Sequence, residues 1–356
     1  MTTAFLLVAA LLAAPGRQPN PGAVRFAQDR NAAIDRIFGW VEPTGPGCAV
    51  AVSQNGTVVV NRAYGLADVE RRIPITPQTA FDAGSVVKPF VAAAVLLLVE
   101  EQRLSLSADV HRYIPELPDY GHRITLDHLL THTSGLPDWV GKRSPGRSET
   151  ALSITLRQRE LEFPPGAQWS YSNSGYVLLK EIVARTTGMP FGEFVRRRLF
   201  ERLGMTATAY LKDGRQVQNL ASAYEKGSEG WREAMLAGNA RGGDGALFST
   251  APDLVIWNDA LTSGRLGAFV TARIQEPATL TNGKTVNYAR GLYVDRTSRG
   301  PLVWHAGSAA AYKTVVGRLP EYRLSIAIAC NAGEAADDRT KFAAQILDLF
   351  VPGRSR

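Results

Sequence analysis

The sequence is poor in the residues on which metal-binding, disulfide-rich and membrane-spanning proteins depend. It contains two cysteines and five histidines in 356 residues. Cys48 and Cys330 do not form a Cys-x-x-Cys pair, which excludes a zinc ribbon and a thioredoxin-like redox centre. The apolar stretch at residues 4–14 is shorter than the roughly 20 residues that a membrane-spanning helix needs. The sequence also lacks the Gly-x-Ser-x-Gly, Walker A and His-Glu-x-x-His motifs, internal repeats and low-complexity tracts.

The composition is that of an ordinary globular protein without a strong charge. Apolar residues make up 45% of the chain and charged residues 21%, which excludes a disordered chain, a collagen-like repeat and a multi-span membrane protein. The net charge of +7 is spread out, with Arg196, Arg197 and Arg198 as the one tight basic run. We interpret it as a solvated surface rather than a nucleic-acid patch, and a mild attraction to anionic substrates or envelope polymers stays open. The length favours one large domain or two intimate ones.

The N-terminus resembles a secretory leader. Residues 4–14 (AFLLVAALLAA) carry no charge and are followed by Pro15-Gly16. We expect residues 1–16 to be a signal peptide and the protein to be exported, periplasmic or extracellular. No Lys or Arg precedes the apolar run, so an uncleaved apolar tail or a misassigned start is the alternative. In an exported protein the two cysteines either pair or remain as buried free thiols.

Apolar spacing and turn residues predict an order of elements that favours an α+β fold. Helices are predicted at residues 24–41, 85–101, 125–133, 175–187, 190–203, 252–262 and 337–351. Strands are predicted at residues 48–53, 57–61, 289–294, 302–305, 312–318 and 324–330. The strands at the two ends of the chain have few partners unless they share one sheet. We therefore expect one α+β domain that is interrupted by a helical insertion.

The helix predicted at residues 85–101 begins with a serine and a lysine one turn apart. Ser85 and Lys88 lie three residues apart, so they project from one face of the helix. A serine hydroxyl needs a nearby base to act as a nucleophile, and a lysine amine is such a base when burial lowers its pKa. The helix is apolar on almost every face, which favours a desolvated Lys88. Taken alone, the pair is also explained by an N-cap serine beside a lysine that reaches solvent.

A second short element, Tyr-Ser-Asn at residues 171–173, carries groups that move protons or orient a substrate. The phenol of Tyr171 accepts and returns a proton if a cation lowers its pKa. Asn173 faces the same way in an extended loop and both donates and accepts hydrogen bonds. Taken alone, the element is also explained by an ordinary tyrosine before a helix that the asparagine caps.

A third short element lies on the strand predicted at residues 302–305. His305 and Gly307 lie on the same side of this strand, and the glycine removes a side chain where a substrate approaches the backbone. We expect the main-chain N–H groups of Ser308 and Ser85 to form an oxyanion hole. Taken alone, His305 is also explained as a structural histidine with satisfied hydrogen bonds.

Together, the three elements resemble the catalytic motifs of the serine β-lactamase and penicillin-binding protein superfamily. They are most similar to the class C β-lactamase branch, with its related esterases and D-stereospecific peptidases, in which Tyr-x-Asn is the second element. Flanking segments also resemble that family and stand in the same order: FDAGSVVKPF, ITLDHLLTHTSGLPD, FPPGAQWSYSNSGY and GGDGALFSTAPDL. The resemblance covers nearly the whole chain after residue 25.

The resemblance implies a β-lactamase/transpeptidase-like α+β fold. In that fold, N- and C-terminal helices flank an antiparallel sheet, and an all-helical subdomain is inserted. It implies one catalytic domain at residues 24–352, with an α/β part at about 24–84 and 285–352 and a helical part at about 85–284. In this family the first and last strands are antiparallel neighbours, so the side chains of Cys48 and Cys330 come close and a disulfide becomes a hypothesis.

The resemblance also implies roles for the site residues. Ser85 is the acylated nucleophile, and Lys88 and Tyr171 move its proton. Asn173 orients the lysine or a substrate amide. The substrate-binding residues are expected to be Asn173, His305, Gly307 and Ser308.

We expect a monomeric serine hydrolase that acts through an acyl-enzyme on an ester, a D-amino-acid amide or peptide, or a β-lactam. No metal, organic cofactor, nucleic-acid partner or stable membrane span is predicted. The alternative is a catalytically weak peptidoglycan- or peptide-binding protein on the same fold.

The third element departs from the Lys-Thr-Gly that many β-lactamases carry. A lysine supplies a fixed positive charge for a substrate carboxylate, whereas His305 is only partly charged near neutral pH and Ala306 has no hydroxyl. These changes weaken the case for efficient β-lactam turnover. In the family, His-x-Gly is frequent among the esterase-like and peptidase-like members. We expect Tyr171 or Lys88 to set the basic limb of the pH dependence, and His305 to add an ionisation near neutrality.

Other candidate groups carry weaker signals. His128 and His132 stand four apart on a predicted helix, a spacing that zinc ligands use, but no third ligand is evident and a metal site is not predicted. Five aromatic residues line a cleft or fill the core: Trp139, Trp169, Tyr176, Trp231 and Tyr312. Only the resemblance places Tyr312 near the site. Substrate specificity is expected to depend on the loops at residues 141–148 and 205–245.

Overall fold

The structure is a computed structural model that describes residues 21–142, 144, 149–210, 217–234 and 246–351. The predicted signal peptide lies outside the described residues, as do most of the loop at residues 141–148 and residues 211–216 and 235–245 of the second predicted specificity loop. The described part of the chain contains no helix that is long and apolar enough to cross a membrane.

Helices occupy the middle of the described chain, and the longer strands occupy its two ends. The helices are α1 (Pro21–Ile37), α2 (Val87–Glu100), α3 (Leu126–Leu130), α4 (Ala151–Leu156), α5 (Asn173–Thr187), α6 (Phe191–Val195), α7 (Glu201–Leu203), α8 (Ala251–Ser263), α9 (Ala268–Ile274) and α10 (Arg339–Asp348). The strands are β1 (Cys48–Gln54), β2 (Thr57–Tyr64), β3 (Leu66–Asp68), β4 (Ile73–Pro74), β5 (Phe81–Asp82), β6 (Ala209–Tyr210), β7 (Tyr224–Gly227), β8 (Gly230–Glu233), β9 (Leu247–Ser249), β10 (Tyr293–Thr297), β11 (Gly300–Ala309), β12 (Tyr312–Leu319) and β13 (Leu324–Cys330).

The chain divides after Gly39 into two compact units. The described part of the first unit is the helix α1 with the turn that follows it. The second unit, from Trp40 onward, holds the strands and the remaining helices. The predicted grouping of these elements into an α/β part and a helical part remains a proposal.

Six antiparallel strands form the main sheet, in the order β10-β11-β12-β13-β1-β2. The first strand of the chain and the last are direct neighbours, with Val50 opposite Ile328. Asn55 and Gly56 join β1 to β2 with φ values of 53° and 79°, the left-handed conformation that a tight hairpin favours at both positions. The prediction that the strands at both ends share one antiparallel sheet is confirmed.

The centre of this sheet is covered on both faces. All seven residues of β13 are buried, and successive side chains of a strand point to opposite faces. The helix α8 packs against β1 and β13, and α10 packs against β12 and β13. Where α8 crosses the sheet, the carboxylate of Asp259 accepts a hydrogen bond of 2.6 Å from the Ser325 hydroxyl, so a polar side chain is satisfied inside the apolar layer.

The helix α2 runs through the core. Eleven of its 14 residues are buried, which is what a helix without a polar face requires. Phe90 stacks on Trp257 with 4.0 Å between ring centroids. Pro89 is the third residue of the helix, where the N–H that proline lacks has no helical partner to lose. The prediction of a buried helix with an early proline is confirmed.

Short elements and several strand boundaries differ from the sequence-based prediction. Two- and three-residue strands such as β5 and β9 are too short to show a period of two. The strand predicted at residues 289–294 begins only at Tyr293. Gly291 has a φ of 78°, and a Cβ there would lie 2.8 Å from the main-chain carbon of Lys88. The chain therefore turns tightly against α2 before the strand begins.

A disulfide joins Cys48 to Cys330. The two residues face each other in the register of β1 and β13, so the bond closes the pairing of the first and last strands. The hypothesis of a disulfide is confirmed, and the alternative of two buried free thiols is wrong.

Removal of this disulfide is expected to destabilise the protein. Loss of a native cross-link over a long loop lowers the free energy of unfolding by about 2–4 kcal/mol, because the unfolded chain gains conformational freedom. Urea unfolding of the wild type with and without reductant, and of the double variant Cys48→Ala/Cys330→Ala, measures this loss. Two free thiols in the unfolded, unreduced wild type, or a midpoint that reductant does not change, would contradict the assignment.

Candidate active site

Ser85 lies on a 3₁₀ turn, Gly84–Val86, that leads directly into α2. Its side chain is half-buried and therefore reachable. The N-cap of the turn is Ala83, and that of α2 is Val86, neither with a capping side chain. Ser85 is therefore not the N-cap serine of the structural alternative, and its hydroxyl is available to other groups.

Lys88 is enclosed one turn further along, with 3% of its surface exposed. Its Nζ lies 3.2 Å from Ser85 Oγ and donates a hydrogen bond of 2.7 Å to Asn173 Oδ1. Burial lowers the pKa of Lys88 to about 7, because an ammonium loses hydration inside an apolar core. The amine therefore does not reach solvent, and near neutral pH it is neutral in a substantial fraction of molecules.

Asn173 is held between the lysine and a carboxylate. It is the first residue of α5, and the helix has no side-chain cap. Its Nδ2 donates a hydrogen bond of 2.8 Å to Asp138 Oδ2, which fixes its Oδ1 as the acceptor for Lys88. The charge of Asp138 opposes the lowering of the lysine pKa. Sequence reasoning missed Asp138, because its contact with Asn173 spans 35 positions of the chain.

Tyr171 contacts both the nucleophile and the lysine. The Ser85 side chain interacts with its phenol and lowers the pKa of that phenol, and Lys88 Nζ lies 4.6 Å from the centroid of its ring. Burial raises the pKa of Tyr171, and the interaction with Ser85 opposes this only in part. The phenol therefore stays protonated near neutral pH. Of the two groups predicted to set the pH dependence, Lys88 is the one that changes charge there.

A chain of three hydrogen-bonded side chains adjoins Tyr171. His305 Nδ1 lies 2.7 Å from the carbonyl oxygen of Ala306, which only accepts, so this nitrogen carries the proton and Nε2 accepts from the Tyr288 hydroxyl at 3.2 Å. His132 Nδ1 accepts the N–H of Ser172 at 3.2 Å. Its Nε2–H therefore donates to the Tyr288 oxygen at 3.1 Å. Both histidines are neutral, with opposite tautomers.

The environment of His305 also opposes a positive charge. The residue is 2% exposed, and burial together with the charge of Lys88 lowers its pKa to about 3. The expectation that His305 ionises near neutrality is therefore wrong. The sequence shows a histidine on a strand but not the aromatic side chains and the lysine that surround it.

The strand β11 runs against the nucleophile turn. A Cβ on Gly307 would lie 2.0 Å from the Ala83 carbonyl oxygen and 3.1 Å from Ser85 N. The nucleophile turn itself therefore occupies the space in front of Gly307. The prediction was that this glycine leaves room for a substrate to approach the backbone, so the reason for the glycine is a different one. A Cβ on Gly84 would lie 2.7 Å from Ser308 N. The main chains of the nucleophile and of Ser308 thus adjoin, as the expected oxyanion hole requires.

The two histidines with zinc-like spacing serve local structure. His128 Nδ1 accepts the N–H of Thr125 at 3.3 Å, and the Thr125 hydroxyl accepts the N–H of His128 at 3.2 Å, a reciprocal cap at the start of α3. Both ring nitrogens of His132 are engaged as described above. Within the described ranges, no group of three or more His, Cys, Asp and Glu side chains is placed to hold a metal ion.

The aromatic residues singled out from the sequence have different surroundings. Tyr176 and Trp169 pack around His132, with ring centroids at 5.1 and 6.3 Å. Tyr312 donates a hydrogen bond of 2.5 Å to the Ala221 carbonyl. Trp231 lies on β8, with Lys226 Nζ 5.3 Å from its ring centroid.

Comparisons with known proteins agree with this geometry. The family model described as Beta-lactamase matches residues 36–349. Penicillin-binding protein 4* of Bacillus subtilis (strain 168) is 27% identical over 311 residues, which cover 80% of this chain and 68% of that protein. D-aminopeptidase of Gluconobacter oxydans (strain 621H) is 28% identical over 301 residues, which cover 82% of this chain but only 57% of that protein.

A solved structure extends the likeness to the whole fold. The D-amino acid amidase from Ochrobactrum anthropi SV3, complexed with L-phenylalanine amide, matches with a TM-score of 0.76 and 26% sequence identity. The match covers 92% of this chain and 100% of that one.

The variant Tyr288→Phe is expected to raise the pKa of His305. The change removes the hydroxyl that donates to His305 Nε2, so the neutral imidazole loses a stabilising bond and its pKa rises. Each buried nitrogen left without a partner costs about 1–3 kcal/mol of stability. Nitrogen-15 NMR of the histidine rings measures the tautomer and its titration.

The control for this variant is Tyr322→Phe, which removes a hydroxyl outside the chain of His132, Tyr288 and His305. It is expected to leave the His305 resonances unchanged. If His305 of the wild type titrates between pH 6 and 8, or if Tyr288→Phe leaves its titration as it was, the hydrogen-bond assignment is wrong.

Proposed function

Because the chain belongs to the β-lactamase family of serine hydrolases, we propose that it hydrolyses esters or D-amino-acid amides and peptides through an acyl-enzyme formed on Ser85. One observation carries the proposal: the buried Lys88, with its pKa lowered to about 7, lies within hydrogen-bond distance of the Ser85 hydroxyl. A base that is partly deprotonated near neutral pH, beside a serine that a substrate can reach, is the arrangement that nucleophilic catalysis needs.

Acylation begins when Lys88 is neutral. Its Nζ accepts the proton of Ser85 while Oγ attacks the substrate carbonyl carbon, and a tetrahedral oxyanion forms. Asn173 keeps the amine pointed at the serine, because its Oδ1 accepts one N–H of Lys88. The N–H groups of Ser85 and Ser308 are the proposed donors to the oxyanion.

Collapse of the tetrahedral intermediate needs a proton on the leaving group. Tyr171, which is protonated and interacts with Ser85, is the proposed donor of a proton to the leaving oxygen or nitrogen, and it regains one from Lys88. Water then attacks the acyl-enzyme with the same groups acting in reverse, and Ser85 is restored. The products are the carboxylic acid and the alcohol or amine.

The neutral His305 bears on the substrate class. A lysine in its place would offer a fixed charge to a substrate carboxylate, whereas an imidazole with a pKa of about 3 offers none near neutral pH. This favours esters and D-amino-acid amides over β-lactams, whose carboxylate needs a cationic partner. The relatives named D-aminopeptidase and D-amino acid amidase support the same choice.

A second candidate is a binding protein for peptidoglycan or peptides that has little catalytic activity. Its support is that several relatives are named penicillin-binding proteins, among them penicillin-binding protein 4*. The intact contacts among Ser85, Lys88 and Tyr171 favour the hydrolase, since a protein that only binds has no need of a desolvated base beside a serine.

We also propose that the protein is exported. The disulfide between Cys48 and Cys330 is typical of an oxidising compartment outside the cytosol. This supports the role predicted for residues 1–16 as a signal peptide.

Covalent labelling tests the proposed nucleophile. A fluorophosphonate or fluorescent-penicillin probe is expected to label the wild type and Ser107→Ala, a control that removes an exposed hydroxyl, but not Ser85→Ala. Nitrocefin, p-nitrophenyl butyrate and a D-Ala-D-Ala peptide then rank the substrate classes, with the β-lactam expected last. Absence of labelling in the wild type would favour the binding protein, and labelling of Ser85→Ala would exclude this serine as the nucleophile.

The pH dependence tests the role of Lys88. We expect kcat/KM for p-nitrophenyl butyrate to rise through about pH 7, because the amine acts as a base only after it loses its proton. Asp138→Asn removes the negative charge that raises the lysine pKa, so the midpoint is expected to move to lower pH.

Asp119→Asn serves as the control for this shift, because it removes an exposed carboxylate and is expected to leave the midpoint unchanged. A midpoint that stays in place in Asp138→Asn, or moves to higher pH, would show that Lys88 does not set the activity profile.

A further inference from the structure

A cavity of about 920 Å³ adjoins the nucleophile turn, and the proposed mechanism does not use it. Its inner wall contains Asp82 of β5, Phe248 of β9 and Tyr312 of β12, and segments 67–79 and 217–223 complete much of its lining. This volume lies within the range of sites for small molecules, several hundred to about 1,000 Å³.

The residues of the inner wall adjoin the turn that carries Ser85 and the strand β11. Asp82 stands three residues before the nucleophile, and its Oδ1 accepts the N–H of Gly84 at 2.8 Å. Tyr312 pairs with Ala309, the residue after Ser308. A ligand in the cavity therefore lies next to the turn and the strand that carry the nucleophile and the proposed oxyanion hole.

Asp82 is a buried carboxylate with no cationic partner in the described part of the chain. It is 7% exposed and lines the cavity. Burial raises its pKa to about 6, and the bond to the N–H of Gly84 opposes this only in part. Arg71 is the one basic residue in the described lining, and its guanidinium is held by Asp68 at 2.7 and 2.8 Å. The second oxygen of Asp82 thus has no counter-ion among the described residues.

Two of the exposed large apolar side chains of the described chain line the same cavity. Ile73 is 43% exposed and Leu220 is 37% exposed. Apolar surface beside a buried acid matches a ligand with an aliphatic stem and a cationic end, since the stem covers the apolar side chains and the cation restores the charge balance of the carboxylate.

We propose that this cavity is a substrate subsite in which Asp82 binds a primary ammonium group carried on an aliphatic stem of the acyl part. The inference rests on the proposed function, because it assigns the stem to the group that acylates Ser85. Thr79 and Asn219 also line the cavity, and their oxygens are further acceptors for an ammonium with three donors.

A matched pair of esters tests the subsite. In p-nitrophenyl 6-aminohexanoate an ammonium replaces the terminal methyl of p-nitrophenyl heptanoate, so the ratio of their kcat/KM values reports recognition of the charge. We expect the wild type to prefer the amino ester about tenfold or more at pH 7.5. In Asp82→Asn, which keeps an oxygen acceptor for Gly84 N–H, the ratio is expected to fall to about one.

Glu225→Gln is the control, because it removes a negative charge from exposed β7, outside the cavity lining. Its ratio is expected to equal that of the wild type. Equal kcat/KM values for the two esters in the wild type, or the same preference in Asp82→Asn, would overturn the subsite while Ser85-dependent hydrolysis leaves the proposed function standing.

Direct binding separates the two proposals if neither ester is hydrolysed. Calorimetric titration with n-hexylammonium, with n-hexanol as the uncharged control, is expected to show binding to the wild type and a loss of about tenfold or more in affinity in Asp82→Asn. Such a result supports the subsite even if the proposed hydrolysis fails. Equal binding of n-hexylammonium to both proteins, or no binding to either, would refute it.

Discussion

The enclosure of one lysine amine is the constraint on which the rest of the site depends. Lys88 belongs to a helix that is buried almost all round, and lost hydration brings its pKa down to about 7. A buried amine needs hydrogen-bond partners, and Asn173 and Ser85 supply them. The same contacts thus supply hydrogen-bond partners to the buried amine and hold it beside the nucleophile that it activates.

The site also requires several main chains to come closer than side chains allow. At Gly84, Gly291 and Gly307 a Cβ would lie between 2.0 and 2.8 Å from a main-chain atom of a neighbouring segment. The first and third bring the nucleophile turn against β11, and the second brings the chain before β10 against α2. Glycine at these positions is therefore part of the site as much as the groups that transfer protons.

The sequence predicted the elements whose physical causes are local. The apolar run at residues 324–330 is β13, the helix without a polar face is α2, and two short motifs singled out Ser85, Lys88, Tyr171 and Asn173. What escaped prediction depends on contacts that spacing does not show. The neutral form of His305 depends on Tyr288 and Lys88, and Asp138 acts across 35 positions. Strands of two or three residues have too few positions to form a pattern.

The bond between Cys48 and Cys330 has a topological consequence. It turns the chain between these residues into a covalent ring that contains the nucleophile, the lysine, the tyrosine and β11. A single cut by a protease anywhere in that ring opens a loop but releases no fragment, so the strands on either side of the cut stay tethered at the centre of the sheet. For a protein proposed to work outside the cell, where it is exposed to proteases without chaperones, the ring keeps the cleaved chain in one covalent piece after a single backbone cut.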